Sequence, residues 1–136
     1  MPDQPASHVD DVVTITLPAA GAYLSVLRTA TAGLAARLNF TLDEIEDLRI
    51  AVDEACAMLL AQAVPGVDLE CRFTLEEHLI SIDVSVLTAN GRPPSHDTFA
   101  WTVLSALVNE VDSAVDGGNR VSIQLRKTRT ATAGSA

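Results

Sequence analysis

Residues 41–60 read TLDEIEDLRIAVDEACAMLL, and their pattern is that of one amphipathic helix with its start written in. Thr41 and Glu44 stand at capping-box spacing, so each side chain can satisfy an amide that the first helical turn leaves without a partner. Phe40 and Ile45 flank them where a hydrophobic staple belongs. Ile45, Leu48, Val52, Ala55, Cys56, Leu59 and Ala63 then recur at helical spacing and predict the buried stripe. Asp43, Glu44, Glu46 and Asp47 put negative charge at the end of the helix where the dipole favours it. The run stops at Pro65-Gly66.

The chain on either side of this helix alternates between two periods. Upstream, Val13, Ile15 and Leu17 alternate with Thr14 and Thr16, as a half-buried strand does, and Pro18 ends the run. From about Ala20 the period lengthens, and Leu24, Leu27, Ala30, Leu34 and Leu38 fall on one helical face. Downstream, Leu69, Cys71, Phe73 and Leu75 form one face of a strand. Glu77-His78 turns the chain, and Ile80, Ile82, Val84 and Val86 continue that face on the next strand. TANGRPPSHD, residues 88–97, is a loop by its turn chemistry. A third helix is expected from about Thr98 to Asp112, with Phe99, Val103, Leu107 and Val111 inward. Asp116-Gly117-Gly118-Asn119 leads into a last strand carrying Val121, Ile123 and Leu125. Strand, helix, helix, strand, strand, helix, strand, with one apolar face per strand, predicts an α+β chain. Its architecture is a two-layer α/β sandwich with helices on one face of the sheet.

The composition narrows the function. A length of 136 residues fits one domain, expected over 11–127 between flexible segments at 1–10 and 128–136. Nine Lys and Arg against 18 Asp and Glu give a formal charge of −9. That balance argues against nucleic acid, whose phosphates need a basic footprint, and against anionic membranes. No apolar run nears the ~20 residues of a membrane span, and MPDQPASHVDD has no signal-peptide pattern, so a cytoplasmic protein is expected. Cys56 and Cys71 are too few for a disulfide scaffold and read as reduced core thiols. His8, His78 and His96 are scattered without ligand spacing, so no metal site is expected.

The run LRIAVDEACAMLL, a leucine-rich helix before it and a hairpin followed by FAWTVLSALVNEVD after it, resembles the RsbW-type anti-sigma factors. The likeness is to their actinobacterial, UsfX-like branch, and it runs roughly from Val12 to Lys127. The resemblance implies the Bergerat fold of the histidine-kinase-like (GHKL) ATPases, with a mixed, mainly antiparallel sheet. It centres on Ala51-Val52-Asp53-Glu54-Ala55-Cys56, which echoes the family's N-box. In active members that motif is Glu-x-x-x-Asn, one turn apart on a helix, with the amide oxygen serving Mg²⁺ beside ATP. Glu54 is kept here as the candidate catalytic base, vestigial because Met58 stands at the Asn position, and a thioether is a poor magnesium ligand. The family's adenine-binding aspartate falls on Val86. Asp83 is the nearest carboxylate, but it is out of register. The glycine-rich lid and helix start that cradle phosphate correspond to a loop with Gly91 alone and to Phe99-Ala100-Trp101-Thr102. No cofactor is therefore expected, and Mg-ATP only if the degenerate site still binds it.

The resemblance also implies partners. The family's first helix presents an arginine to the sigma factor and to the antagonist that displaces it. Spacing back from Glu54 puts that arginine at Arg28, whose planar fork suits a carboxylate at an interface. The plainer reading is an arginine that snorkels beside the core. One turn earlier Leu24 replaces a residue that is often glutamate in relatives. The expected function is sequestration of an alternative, stress- or sporulation-type sigma factor. Release would come from a STAS-type anti-anti-sigma protein, and the module would be a homodimer. The alternatives are an active serine-protein kinase, with Glu54 as base and Asp53 or Asp83 supplying contacts, and an interaction module unrelated to transcription.

Overall fold

The computed structural model describes residues 11–130, so the segment expected to be flexible at 1–10, with His8, and residues 131–136 lie outside the described residues. The elements run β1 (Asp11–Pro18), a 3₁₀ turn (Gly21–Tyr23), α1 (Leu24–Arg37), α2 (Leu42–Leu60), β2 (Asp68–Leu75), β3 (Leu79–Leu87), α3 (Phe99–Leu107), β4 (Glu110–Val115) and β5 (Arg120–Thr128). Five strands form one sheet in the order β1-β2-β3-β5-β4. The helices cover one face of it, which is the expected two-layer α+β sandwich.

The N-terminal half follows its local signals. Thr41 accepts the Glu44 amide, Glu44 accepts the Thr41 amide, and α2 starts at the next residue. The connection before it is as tight. Asn39 takes a positive φ of 64°, the Asn39 amide donates to the Ala36 carbonyl, and the Phe40 amide donates to the Ala35 carbonyl. This pair of bonds is a Schellman motif. Phe40, 5% exposed, thus ends α1 on its buried side and occupies the staple position of α2. On α1 the fully buried residues are Leu27, Thr31 and Ala35, while Leu24, Ala30, Leu34 and Leu38 pack along the margins. Thr31 is tolerated there because its hydroxyl donates to the Leu27 carbonyl at 2.7 Å.

The β2–β3 hairpin keeps the expected alternation, with Leu69, Cys71, Phe73, Ile80, Ile82, Val84 and Val86 all inside. The C-terminal half differs. The third helix ends at Leu107 rather than Asp112, and residues 110–115 form a strand that the helical spacing of Phe99, Val103, Leu107 and Val111 disguised. Phe99 is 82% exposed, not inward; Trp101 and Leu104 fill that face, with Val103 and Leu107 half-buried. Non-local pairing decides the boundary. Val108 is already extended, and the Asn109 amide donates to the Arg126 carbonyl while its side chain accepts the Thr128 amide at 2.8 Å.

β4 pairs with β5 over six positions, and β5 lies between β3 and β4. The crossover through α3 brings β4 in alongside β3 one strand's width away, and the β4–β5 hairpin fills the gap. All four pairings among the described residues are therefore antiparallel, and no parallel ladder completes a mixed sheet.

Beneath the helices, Leu27, Leu48, Val52 and Leu59 meet a floor of Phe73, Ile82, Val84, Ile123 and Leu125. The opposite face of the sheet is polar, with Arg72, Asp83 and Gln124 side by side across three strands.

Candidate functional site

The turn of α2 that carries Asp53, Glu54, Ala57 and Met58 is only partly covered, while Val52, Ala55 and Cys56 beneath it are buried. Residues 38–41 fold α1 back along α2, and this brings Arg28 opposite Asp53. Arg28 Nη1 donates to both Asp53 carboxylate oxygens, at 2.9 and 3.1 Å. The two side chains are 38% and 34% exposed, so the pair sits at the surface, where ion pairing alone contributes little to stability. Its interest is geometric: it fixes a guanidinium on the α1–α2 face. The family resemblance singles out Arg28, but not Asp53 as its partner, because the two are 25 residues apart on different helices.

Glu54, one residue on, is half-buried and has no hydrogen-bond or ion-pair partner among the described residues. Met58 is half-buried and packs against the core. Val86 is fully buried in β3, and its side chain has no polar atom to offer a base. Asp83 faces the other side of the sheet, where it accepts from Gln124 at 3.4 Å.

Thr88, two residues beyond Val86, is the buried polar group at this end of the sheet, and sequence reasoning passed it over. Its hydroxyl donates to the Asn119 carbonyl and accepts the Gly91 amide, both at 2.8 Å. Asn119 takes a φ of +68° in the β4–β5 turn, and its side-chain amide donates to the Ala89 carbonyl. Gly91 takes a φ of +62°, and a Cβ there would lie 2.5 Å from Asn119 Oδ1, so any other residue would carry backbone strain and have to displace that side chain.

The start of α3 is closed in the same way. Thr98 caps it by accepting the Trp101 amide at 3.1 Å. Trp101 is 5% exposed, and His96 stacks on it at a centroid separation of 3.9 Å while touching Ser113 at 3.3 Å.

These residues do not fit a magnesium-bound nucleotide. Met58, at the position of the family's metal-binding asparagine, supplies no hard oxygen ligand. The Gly91 amide is spent on Thr88, and the first turn of α3 has a threonine cap and a buried tryptophan in place of glycines. Two surface depressions, of about 280 and 400 Å³, both lie on the polar side of the sheet, and no α2 residue lines either.

The thiols are equally inert. Burial, with a smaller contribution from the Asp53 charge, pushes Cys56 up to about 12. Burial likewise raises Cys71. Both are free and sealed in the core, so neither is a nucleophile. His78 lies on the hairpin turn, between Glu77 and Arg129. No helix among the described residues is long and apolar enough to cross a membrane.

The chain matches no protein-family profile. Among known proteins it is 33% identical over 93 residues to the serine-protein kinase RsbW of Halalkalibacterium halodurans, covering 68% of this chain and 56% of that one. It is 32% identical over 99 residues to the anti-sigma-F factor RsbW of Mycobacterium tuberculosis, covering 69% and 56%. The chain thus spans about half the length of the curated relatives it matches. In three dimensions it superposes with a TM-score of 0.65 on a crystal structure of RsbU and RsbW domains from Mycobacterium tuberculosis, over 89% of this chain and 34% of that one at 16% identity. By sequence over 68% of its length and by fold over 89% of it, this chain is an RsbW-like domain with the GHKL fold.

Proposed function

We propose that this chain is an anti-sigma factor that works by binding alone. Its domain, over 11–127, would sequester an alternative sigma factor in the cytoplasm and release it to a STAS-type anti-anti-sigma protein, as a homodimer and without nucleotide. One observation carries this reading. The positions that hold Mg-ATP in active relatives are filled by Met58, Val86 and Trp101, and the loop amide that could face phosphate is spent on Thr88. Arg28, held by Asp53 a helix away, is the partner anchor in this reading, with its guanidinium half in solvent.

A tagged pull-down from native cytosol, with and without Mg-ATP and read by mass spectrometry, tests it. The expected result is a sigma factor recovered equally in both. Recovery only with Mg-ATP, or recovery of neither a sigma factor nor a STAS protein, would overturn it.

The serine-protein kinase reading is favoured by the Halalkalibacterium halodurans relative, a serine-protein kinase, and by the retained Glu54. In that reading Glu54 is the base. Glu54→Ala would then abolish phosphate transfer to the antagonist, whereas a vestigial Glu54 leaves sigma-factor binding intact.

A further inference from the structure

We propose that Asp53 is the positioning residue for Arg28, turning the unused edge of its guanidinium toward a side-chain carboxylate of the bound protein partner. This rests on the reading of Arg28 as the partner anchor.

The geometry is one-sided. Both Asp53 oxygens lie against a single nitrogen, Nη1, at 2.9 and 3.1 Å. Arg28 Nε and Nη2 make no hydrogen bond among the described residues. A guanidinium carries five N–H donors in one plane, and the Nε/Nη2 edge is the pair that meets a carboxylate with two parallel bonds. Asp53 therefore leaves the recognition edge free, and a partner carboxylate can be added without displacing it.

The support is rigid on both sides. Asp53 follows Ala51 and Val52, which are 0% and 1% exposed in the middle of α2. Arg28 stands between Leu27 and Thr31, both fully buried on α1. An arginine on a free stem would have to be ordered at the moment of binding, and an aspartate on a neighbouring helix does this beforehand.

Arg28 and Asp53 neutralise each other, so a partner carboxylate would be held by two directed N–H bonds from the free guanidinium edge rather than by net charge.

The test is a double-mutant cycle with the sigma factor recovered in the pull-down, its affinity measured by calorimetry. Arg28→Ala is expected to weaken binding at least tenfold. Asp53→Asn should weaken it by about tenfold although Arg28 is still present, and should cost nothing further in the Arg28→Ala background. Asp53→Glu, which keeps the charge, should recover part of the loss and serves as the second variant if the asparagine protein melts early.

Each contrary result overturns the proposal. Wild-type affinity in Asp53→Asn beside a weakened Arg28→Ala leaves the anchor standing and removes the positioning role. Tighter binding makes Asp53 a competitor rather than a support. An equal loss from Asp53→Asn with and without Arg28 means that Asp53 acts elsewhere. Unchanged binding in Arg28→Ala removes the anchor itself, and the positioning role with it.

Discussion

Glu44 closes the capping box with Oε1, which accepts the Thr41 amide at 2.8 Å. Its Oε2 accepts both the amide and the hydroxyl of Thr130 at 3.0 Å. One 8% exposed carboxylate thus starts α2 and ties down the chain leaving β5. Burial by itself raises its pKa. Hydrogen bonds from the Thr41 and Thr130 backbones and from their side chains outweigh that and leave it below the ordinary glutamate value. Because the folded value is the lower one, the carboxylate contributes stability that is complete above the ordinary value. That contribution is lost as pH falls through the folded value. Glu44→Gln should therefore lower the unfolding free energy by about 1–2 kcal/mol at neutral pH. The gap between variant and wild type should narrow below about pH 4. Denaturant unfolding of both proteins across that range checks it, and a gap independent of pH would mean that the charge is not what matters. The sequence shows Glu44 as the capping-box partner of Thr41 but not its tie to Thr130. Its second partner lies 86 residues away, where no local pattern could point.

At the scale of elements, the α1–α2 hairpin depends on two adjacent residues. Asn39 accepts the left-handed conformation that a Schellman ending needs, and Phe40 buries its ring where both helices use it. Phe40→Ala is expected to cost about 3–5 kcal/mol, as a buried ring lost from a packed core does. Asn39→Gly should be neutral or slightly stabilising, because glycine takes a positive φ without a Cβ clash. Thermal melts of the two variants distinguish this hairpin from a loose connection, in which neither change would register strongly. Signals of this local kind made much of the fold legible. The box at Thr41 and Glu44, the alternation of β2 and β3 and the turn at 116–119 are all contained in a few neighbouring residues. β4 is not. Val111 continues a four-residue spacing from Phe99, so the sequence reads as helix up to Asp112. Only pairing with β5, anchored by Asn109 on Arg126 and Thr128, ends the helix early. The candidate site divides in the same way. Against the family's motifs, Met58 is reached by counting one turn on from Glu54 and Val86 by strand parity. Asp53 as Arg28's partner, and Thr88 as the buried link to Asn119, exist only once antiparallel helices and a distant turn are packed together.

At the scale of the whole molecule, the question is whether any free energy of nucleotide binding reaches the fold. Ligand that binds only the native state stabilises it by mass action. A site with a Kd of about 0.1 mM would add about 2.7 kcal/mol at about 10 mM Mg-ATP. For a domain of this size that is a rise in Tm of roughly 10 °C, far above the noise of a melt. With Met58 at the metal-ligand position, Val86 sealed in β3 and Trp101 buried under His96, the expected rise is nil. Met58→Asn should not create one by itself. It returns a single oxygen ligand to a place that still lacks the adenine carboxylate and the glycine amides for phosphate. On the proposed binding-only reading, a sigma factor should by contrast raise the Tm by the same amount with and without Mg-ATP, because that reading places its contacts on Arg28 and the α1–α2 face. A nucleotide-dependent rise in the wild-type chain would overturn the binding-only reading. It would leave Glu54 as the residue to test next and make the kinase reading the one to pursue.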